Sequence, residues 1–407
     1  MLDRDELSKL RFSMSEVPKV GGQPGIYQEK WTQWFLERSF YRDFVYRNPR
    51  GVKKGEELAD AVVLFDDMLI MAQVKAQHGK HEATAWATEK LLEALKQISK
   101  THSNLVGGHI KSLSNEYFGS LPFDPKHCPN RIGLIILAHE SAPYDATKLV
   151  PEILSAGFPI HVFSLKDFEL IASRFDTAGD FITFLELRAD IAKSETFFVQ
   201  DEDGNIKRML PHVGGVLRTH MSPTADEIFQ KTVESFEQIA TGKLLESEDW
   251  KYGLVIDDMI ARVHDIDPDL PWNKVGKGFN KSIYVARFLG WLTRDRRIRL
   301  GKRIISKCEA ARDGQPHYFA HTQPSRGSTC VYLTTSEGRP SRIKTLRFLV
   351  AYAYLKYGTK ECVGVATEPI GNGRSYDFFA PQSPPTELQL EKLKSIEDPF
   401  GSTDDPL

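Results

Sequence analysis

The chain has 407 residues, of which 41% are hydrophobic and 27% charged, and its formal net charge is −2. That length can bury two substantial cores, and the composition is ordinary for a globular protein. The near-neutral charge excludes a chain coated with basic residues for nucleic-acid binding, so any such contact must come from local patches.

Apolar runs, the first residues and the cysteines bear on the expected class of protein. No apolar run reaches the ~20 residues that a membrane span needs, and the charged start MLDRDELSKLRF lacks the apolar segment of a signal peptide. The four cysteines (Cys128, Cys308, Cys330 and Cys362) form no CxxC pair, which argues against a zinc site and a disulfide framework. We therefore expect buried, reduced cysteines, no membrane contact and a cytoplasmic location.

The first predicted element is a helix over residues 27–39, whose aromatic residues share one side. Its Glu29 lies near the helix start, where an exposed carboxylate is commonplace. Residues 43–46 predict the first strand. A basic turn follows, and its Lys53 and Lys54 are candidate contacts for phosphates.

The stretch ELADAVVLFDDMLIMAQVKAQ, residues 57–77, predicts two apolar strands joined by an Asp-Asp turn. With that turn, Asp60 lies opposite Gln73 and Leu58 lies opposite Lys75. Because side chains alternate between faces, a carboxylate, an amide and an amine then project from one face of the hairpin. A structural Asp/Lys pair at a sheet edge is the alternative interpretation.

Further elements follow the hairpin in regular order. A helix is predicted from residue 82 to about residue 101, and residues 103–130 form a long irregular connection. Apolar strands at residues 131–138 and 159–165 enclose a crossover helix at residues 145–156. This order indicates strands added in parallel to a mixed sheet.

Two helices close the first domain, at residues 166–175 and 178–193. We expect that domain to cover residues 1–200, and a second, α+β domain to cover residues 222–385, before a tail at residues 386–407. The tail is rich in Pro, Ser and Asp, which predicts partial disorder.

The second half contains one dense basic segment. A helix predicted over residues 282–311 carries RDRRIRLGKR in its middle. Arg296, Arg299 and Arg303 are its candidate contacts for nucleic-acid phosphates. A solvated helix face is the other reading of such a charge run. Strand, helix and strand then form a βαβ-like unit that ends near residue 367.

The hairpin resembles a known family. Asp60, twelve intervening residues and then Gln73-Val74-Lys75 are similar to the motif of the PD-(D/E)xK nuclease superfamily, in the Asp…Gln-x-Lys variant of Mrr-type restriction endonucleases. An upstream helix that bears Glu29 adds to the match. The resemblance covers about residues 25–193. It implies an α/β restriction-endonuclease-like core, with a central mixed β-sheet flanked by helices.

The resemblance also implies roles for individual residues. Asp60, the Gln73 side-chain carbonyl and the Val74 backbone carbonyl would hold Mg²⁺ or Mn²⁺, which oxygen-only ligation suits. Glu29 would contact the metal through water. Lys75 would orient or activate the attacking water and stabilise negative charge.

The implied activity is a metal-dependent nuclease, and we expect a DNA endonuclease of restriction or antiphage-defence type acting on double-stranded DNA. In the family, the helix after the catalytic strand often carries basic residues toward nucleic acid, and Lys96 and Lys100 hold those positions. The second half is a candidate surface for forming a homodimer or for binding a partner protein. The alternatives are a non-catalytic nucleic-acid- or protein-binding module and an RNA-processing nuclease.

Overall fold

The computed structural model describes residues 25–50, 57–77, 83–115, 119–138, 153, 155–194, 234–265, 281–323, 326–369, 375–381 and 383–400. The chain divides into two compact units, one ending at Ser247 and one beginning at Glu248. Each unit combines helices with a mixed sheet, so the predicted α/β class is confirmed. The predicted domain boundaries at residues 200 and 222 lie outside the described residues and stay predictions. Among the described helices, none is long and apolar enough to cross a membrane.

The described elements of the first unit are α1 (Ile26–Phe40), β1 (Val45–Arg47), β2 (Ala61–Phe65), β3 (Met68–Ala76), α2 (Ala83–Val106), β4 (Ser112–Asn115), β5 (Gly119–Pro122), β6 (Asn130–Ala138), β7 (Ile160–Ser164), α3 (Leu165–Arg174), α4 (Ala178–Ser194) and α5 (Lys243–Glu246). The unit is built on a five-stranded sheet in the order β1-β2-β3-β6-β7. Strands β1 to β3 are antiparallel, and β3, β6 and β7 are parallel. A hairpin of β4 and β5 occupies part of the predicted irregular connection.

Strands β2 and β3 form the predicted hairpin. Their pairing runs from Phe65 opposite Met68 to Ala61 opposite Ala72, which is the predicted register. Asp66 in the turn has a φ of 59°, a left-handed conformation that Asp adopts more readily than most residues. The short turn therefore fixes which residues face each other across the hairpin.

The hairpin ladder is shorter than predicted. Strand β2 begins at Ala61, so the predicted pairs Asp60 with Gln73 and Leu58 with Lys75 do not form. The Asp60 carbonyl and the Leu58 N–H instead bond to the backbone that follows β1. Strand β3 thus continues past the end of β2 while it stays paired with β6.

Helices cover both faces of the first sheet. On one face α2 packs against β6 and β7 through a buried cluster that includes Trp86, Leu91, Ile98, Ile135 and Leu137. On the other face, edge-to-face aromatic pairs join Phe40 to Phe65 and Phe181, and Phe35 to Phe168. Each such side chain contributes about 1.5–3 kcal/mol on burial. The packing holds α1 and α2 against the strands that carry the polar residues.

The described elements of the second unit are α6 (Trp250–Asp265), α7 (Lys281–Gly290), α8 (Arg294–Ala310), β8 (His317–Gln323), β9 (Ser328–Thr334), α9 (Arg339–Tyr357), β10 (Glu361–Thr367), β11 (Tyr376–Phe379) and α10 (Glu387–Leu393). The unit is built on a four-stranded sheet in the order β11-β10-β9-β8. Strands β9 and β10 are parallel and joined through α9, which confirms the predicted βαβ-like unit, whereas β8 and β11 were not predicted. The predicted tail contains helix α10 and the buried side chain of Phe400.

The prediction of a single helix over residues 282–311 is wrong, because the helix is interrupted between α7 and α8. The Thr293 hydroxyl accepts a backbone N–H from the first turn of α8, as an N-cap does. The Arg297 guanidinium donates to the carbonyls of Gly290, at 3.0 Å, and Leu292, at 2.9 Å. These bonds give partners to backbone groups at the interruption between α7 and α8.

Two arginines of the basic segment lie in the core. Arg294 and Arg297 are fully buried. Their guanidinium groups donate to the two carboxylate oxygens of Asp257, at 2.6 and 2.5 Å. The basic segment is therefore not one exposed surface, since part of it holds α8 against α6.

Asp257→Ala should lower the free energy of unfolding by about 3–5 kcal/mol, because it leaves two buried guanidinium groups without their carboxylate. Urea denaturation measures this loss. Asp295→Ala is the matched control, because its ion pair with Arg299, at 2.6 Å, is partly exposed and such pairs contribute about 0–1 kcal/mol. Equal losses in the two variants would contradict a structural role for the buried pairs.

Candidate functional site

The candidate site begins where β2 ends. One carboxylate oxygen of Asp60, Oδ2, accepts the backbone N–H of Val74 at 2.5 Å. Because the N–H and C=O of a strand residue point to the same side, the Val74 carbonyl also points toward the end of β2. The structure therefore places Asp60 and the Val74 backbone together, as the resemblance implies.

Gln73 and Lys75 lie on the face of the sheet that α2 covers. Their register partners on β6 are Ile135 and Leu137, which pack against α2. Gln73 is buried, and the Lys75 side chain is 14% exposed. Alternation along β3 thus puts the amide and the amine on one face, as predicted.

The surroundings of the Asp60 carboxyl group disfavour its ionised form. Its pKa is raised from 3.8 to about 7, chiefly by burial and further by the negative charges of Glu29 and Glu57. The hydrogen bond from Val74 and the charge of Lys75 act in the opposite direction. This carboxyl group therefore titrates near neutral pH. A bound cation would favour its ionised form.

Glu29 belongs to the same cluster. It lies in the first turn of α1. Burial raises the pKa of Glu29, and so does the charge of Glu57, whereas Lys75 and a hydrogen bond from Asn48 lower it. The structure therefore brings Glu29 within electrostatic range of Asp60 and Lys75.

The sequence analysis missed three polar residues that support this cluster. The Gln33 amide donates to the Asn48 side-chain oxygen at 2.7 Å and to the Asp60 carbonyl at 2.6 Å. Asn48 donates in turn to Glu57. One signal was present, because Gln33 follows Glu29 by four residues and so lies on the same side of α1. Glu57 and Asn48 required knowledge of the chain path.

Lys75 has a partner that was also missed. Its ammonium group forms an ion pair with Glu93 of α2 at 2.8 Å, and Glu93 contacts Lys90 at 3.0 Å. Lys75 and then Lys90 hold the pKa of Glu93 below its usual value. In this structure the charge of Lys75 is therefore balanced from the helix side of the site.

The basic residues predicted for nucleic-acid contact in the first unit fall into two groups. Lys96 and Lys100 are exposed on α2. They follow Glu93 by about one and two helical turns, so the three side chains lie along one side of the helix. Lys53 and Lys54 lie outside the described residues.

The remaining predicted contacts belong to α8 in the second unit. Arg296 is exposed. Arg299 is paired with Asp295, and the Arg303 guanidinium lies 4.3 Å from the ring centroid of Phe319. Nucleic-acid contact by these three arginines stays a prediction.

The predicted metal ligands include few carboxylates. Across the parts of the chain that the structure describes, no three His, Cys, Asp or Glu side chains form a group that would hold a metal ion. The implied set has one carboxylate, Asp60, beside the amide of Gln73 and the backbone of Val74. Such a set completes its coordination with water and substrate oxygens.

Asp60→Asn should stabilise the protein more at about pH 8 than at about pH 5. The pKa of Asp60 is about 7 in the folded protein, against 3.8 for an ordinary Asp. Between these two pH values the folded state therefore retains a proton that the unfolded state has released. The wild type therefore loses stability as pH rises through this window. Asn cannot ionise, and its side-chain oxygen still accepts the Val74 N–H. Urea denaturation without divalent cations measures the effect, and an equal gain at both pH values would contradict the raised pKa.

The comparisons with known proteins add no relative. No family model, no curated protein and no solved structure matches the chain. The resemblance to the nuclease superfamily therefore rests on the residues of the hairpin and of α1.

Proposed function

We propose that the first unit is a metal-dependent nuclease that hydrolyses phosphodiester bonds, and that its substrate is double-stranded DNA. The main support is the meeting of Asp60, the Val74 backbone, Lys75 and Glu29 at the end of one hairpin. These are the residues of the Asp…Gln-x-Lys resemblance. The mixed sheet with helices on both faces is compatible with a restriction-endonuclease-like core.

The donor set fits Mg²⁺ or Mn²⁺. Asp60, the Gln73 side-chain carbonyl and the Val74 carbonyl would hold the cation, and Glu29 would reach it through water. The three protein ligands are oxygen atoms, which these hard cations prefer. A cation there supplies positive charge to the phosphate and lowers the pKa of bound water. The carboxyl groups that raise the pKa of Asp60 make this end of the hairpin favourable for positive charge.

The residues of the chain itself have separable tasks in the proposed reaction. Gln33 and Asn48 fix the backbone at Asp60 by hydrogen bonds, so that its carboxylate stays against β3. Lys75 orients the attacking water and stabilises negative charge on the phosphate oxygens. Its ion pair with Glu93 holds the long side chain in place before substrate binds.

One observation favours the alternative of a non-catalytic nucleic-acid- or protein-binding module. Both charged residues of the motif are already satisfied within the protein, Asp60 by the Val74 N–H and Lys75 by Glu93. A structural ion-pair network has this appearance. Incubation with plasmid, linear DNA and RNA in Mg²⁺, Mn²⁺ or EDTA separates this module from a nuclease, and separates DNA from RNA as substrate.

Lys75→Ala should abolish DNA cleavage while the protein still folds and still binds DNA, because the lost amine serves the transition state. Lys90→Ala is the matched control. Lys90 also pairs with Glu93, at 3.0 Å, and it lies outside the motif, so cleavage should persist. Gel assays of plasmid cleavage measure both variants. Cleavage by Lys75→Ala at the wild-type rate would rule out this site as the catalytic centre.

Asp60→Asn should also lose cleavage, but through weaker metal binding. Raising the Mg²⁺ or Mn²⁺ concentration should therefore restore part of its activity, since mass action opposes a weakened binding equilibrium. The same titration should leave Lys75→Ala inactive, because added metal cannot replace the amine. Identical responses of the two variants would show that their assigned roles are wrong.

The double substitution Lys96→Ala with Lys100→Ala should weaken DNA binding and reduce its dependence on salt. Each lost phosphate contact lowers the slope of log K against log salt by about 0.9. Fluorescence anisotropy at several salt concentrations measures the slope. Lys392→Ala, an exposed lysine of α10, is the control and should leave the slope unchanged. An unchanged slope in the double variant would place the DNA elsewhere.

A further inference from the structure

The two faces of the sheet in the second unit differ in chemistry. The face under α9 is apolar, with Ala320, Val331 and Leu333 packed on Leu346 and Val350. The face under α8 instead buries polar side chains. Side chains alternate along β8 and β9, so His321, Gln323 and Tyr332 lie on the face opposite to Ala320, Val331 and Leu333.

Within the part of the chain that the structure describes, three buried polar atoms of these side chains have no nitrogen or oxygen as a hydrogen-bond partner: Nε2 of His321, Nε2 of Gln323 and the Tyr332 hydroxyl. The residues are 5%, 2% and 3% exposed. The thiol of Cys330 is the polar neighbour of Tyr332, and a thiol is a weak hydrogen-bonding group. Native proteins rarely leave buried polar groups unsatisfied, so three on one sheet face are candidates for contact with a ligand.

Positive charge borders the same face. Arg303 lies over Phe319, which stacks on Tyr332 with ring centroids 4.8 Å apart. Burial first, and then Arg296 and Arg303, lower the pKa of His321 to about 3. His321 is therefore neutral at physiological pH, and the nearby charge is that of the two guanidinium groups. Arg296 is exposed, so the cluster reaches the surface on that side.

We propose that this face of β8 and β9 binds a small phosphate-bearing ligand, with the phosphate at Arg296 and Arg303 and the remainder of the ligand at Gln323 and Tyr332. Two guanidinium groups and two uncharged donors match a group with several acceptor oxygens and a high negative charge. A phosphate offers more acceptor oxygens than a carboxylate does. The site lies within the second unit and does not depend on the proposed nuclease activity.

The depth of the polar atoms selects a small ligand over a nucleic-acid duplex. A duplex backbone reaches exposed arginines, but it does not reach side chains as buried as Gln323 and Tyr332. Alternate residues along a strand are about 6.5–7 Å apart. The donors of His321 and Gln323 are therefore spread more widely than one phosphate group. A nucleoside monophosphate is a small ligand of this kind, because it carries polar groups beyond its phosphate.

Isothermal titration calorimetry of the full chain tests the proposal with four probes: inorganic phosphate, adenosine monophosphate, adenosine and acetate. Binding of adenosine monophosphate or inorganic phosphate, without binding of adenosine or acetate, is the expected result. Binding of inorganic phosphate alone would identify free phosphate as the ligand. Tighter binding of the nucleotide would identify an organic phosphate as the ligand. Absence of binding by both phosphate probes at millimolar concentration would overturn the proposal.

Tyr332→Phe tests the site itself, because it removes only the hydroxyl. In the absence of ligand the Tm should stay unchanged or rise, since an unpartnered polar atom is lost, and affinity for the bound probe should fall about tenfold. Tyr354→Phe is the matched control. Its hydroxyl accepts the Cys362 N–H at 3.0 Å, so its loss should lower the Tm without changing affinity.

Gln323→Met gives a second, nearly isosteric test with the same two expectations. Affinity that stays unchanged in both Tyr332→Phe and Gln323→Met would place the probe elsewhere and overturn the proposal. Fluorescence anisotropy with a labelled DNA duplex tests whether DNA binding depends on the same two side chains. DNA binding that both variants abolish would show that the buried donors serve nucleic acid, which would also overturn the small-ligand assignment.

Discussion

The N–H of Val74 lies on β3 beyond the point where β2 ends, and a buried donor without a partner costs about 1–3 kcal/mol. The Asp60 carboxylate supplies the missing acceptor at 2.5 Å. That bond holds a carboxylate against the strand that carries Gln73 and Lys75, and it also explains the burial that raises the pKa of Asp60. The same contact thus completes the sheet and concentrates charge at its edge. A site that binds a cation and a phosphate would use that charge at some cost in stability.

In the second unit, burial assigns different tasks to chemically identical side chains. Arg294 and Arg297 bond to Asp257 within the core. Arg296 and Arg303, on the same helix, lie toward β8 and Phe319. A helix turns by about 100° per residue, so neighbouring arginines face opposite surroundings. One dense basic segment therefore contributes to both folding and the proposed phosphate site.

The sequence alone determined those features that depend on nearby residues. The Asp-Asp turn and the alternation of apolar residues set the register of β2 with β3, because a one-residue shift would turn every buried side chain to the other face. The same alternation placed Gln73 and Lys75 on one face. The aromatic side of α1 identified the helix that bears Glu29. Each of these inferences used contacts within a few residues or across one turn.

Only the tertiary structure decided which distant groups meet. It ended β2 at Ala61, because the preceding backbone bonds the segment after β1. It brought Glu57 and Glu93 to the site from a loop and from α2. It also buried Gln323, whose Nε2 has no hydrogen-bond partner among the described residues. Sequence periodicity shows that a helix or strand has two sides, but not which neighbour covers each one. Long-range packing makes that choice, and the charge balance of both sites follows from it.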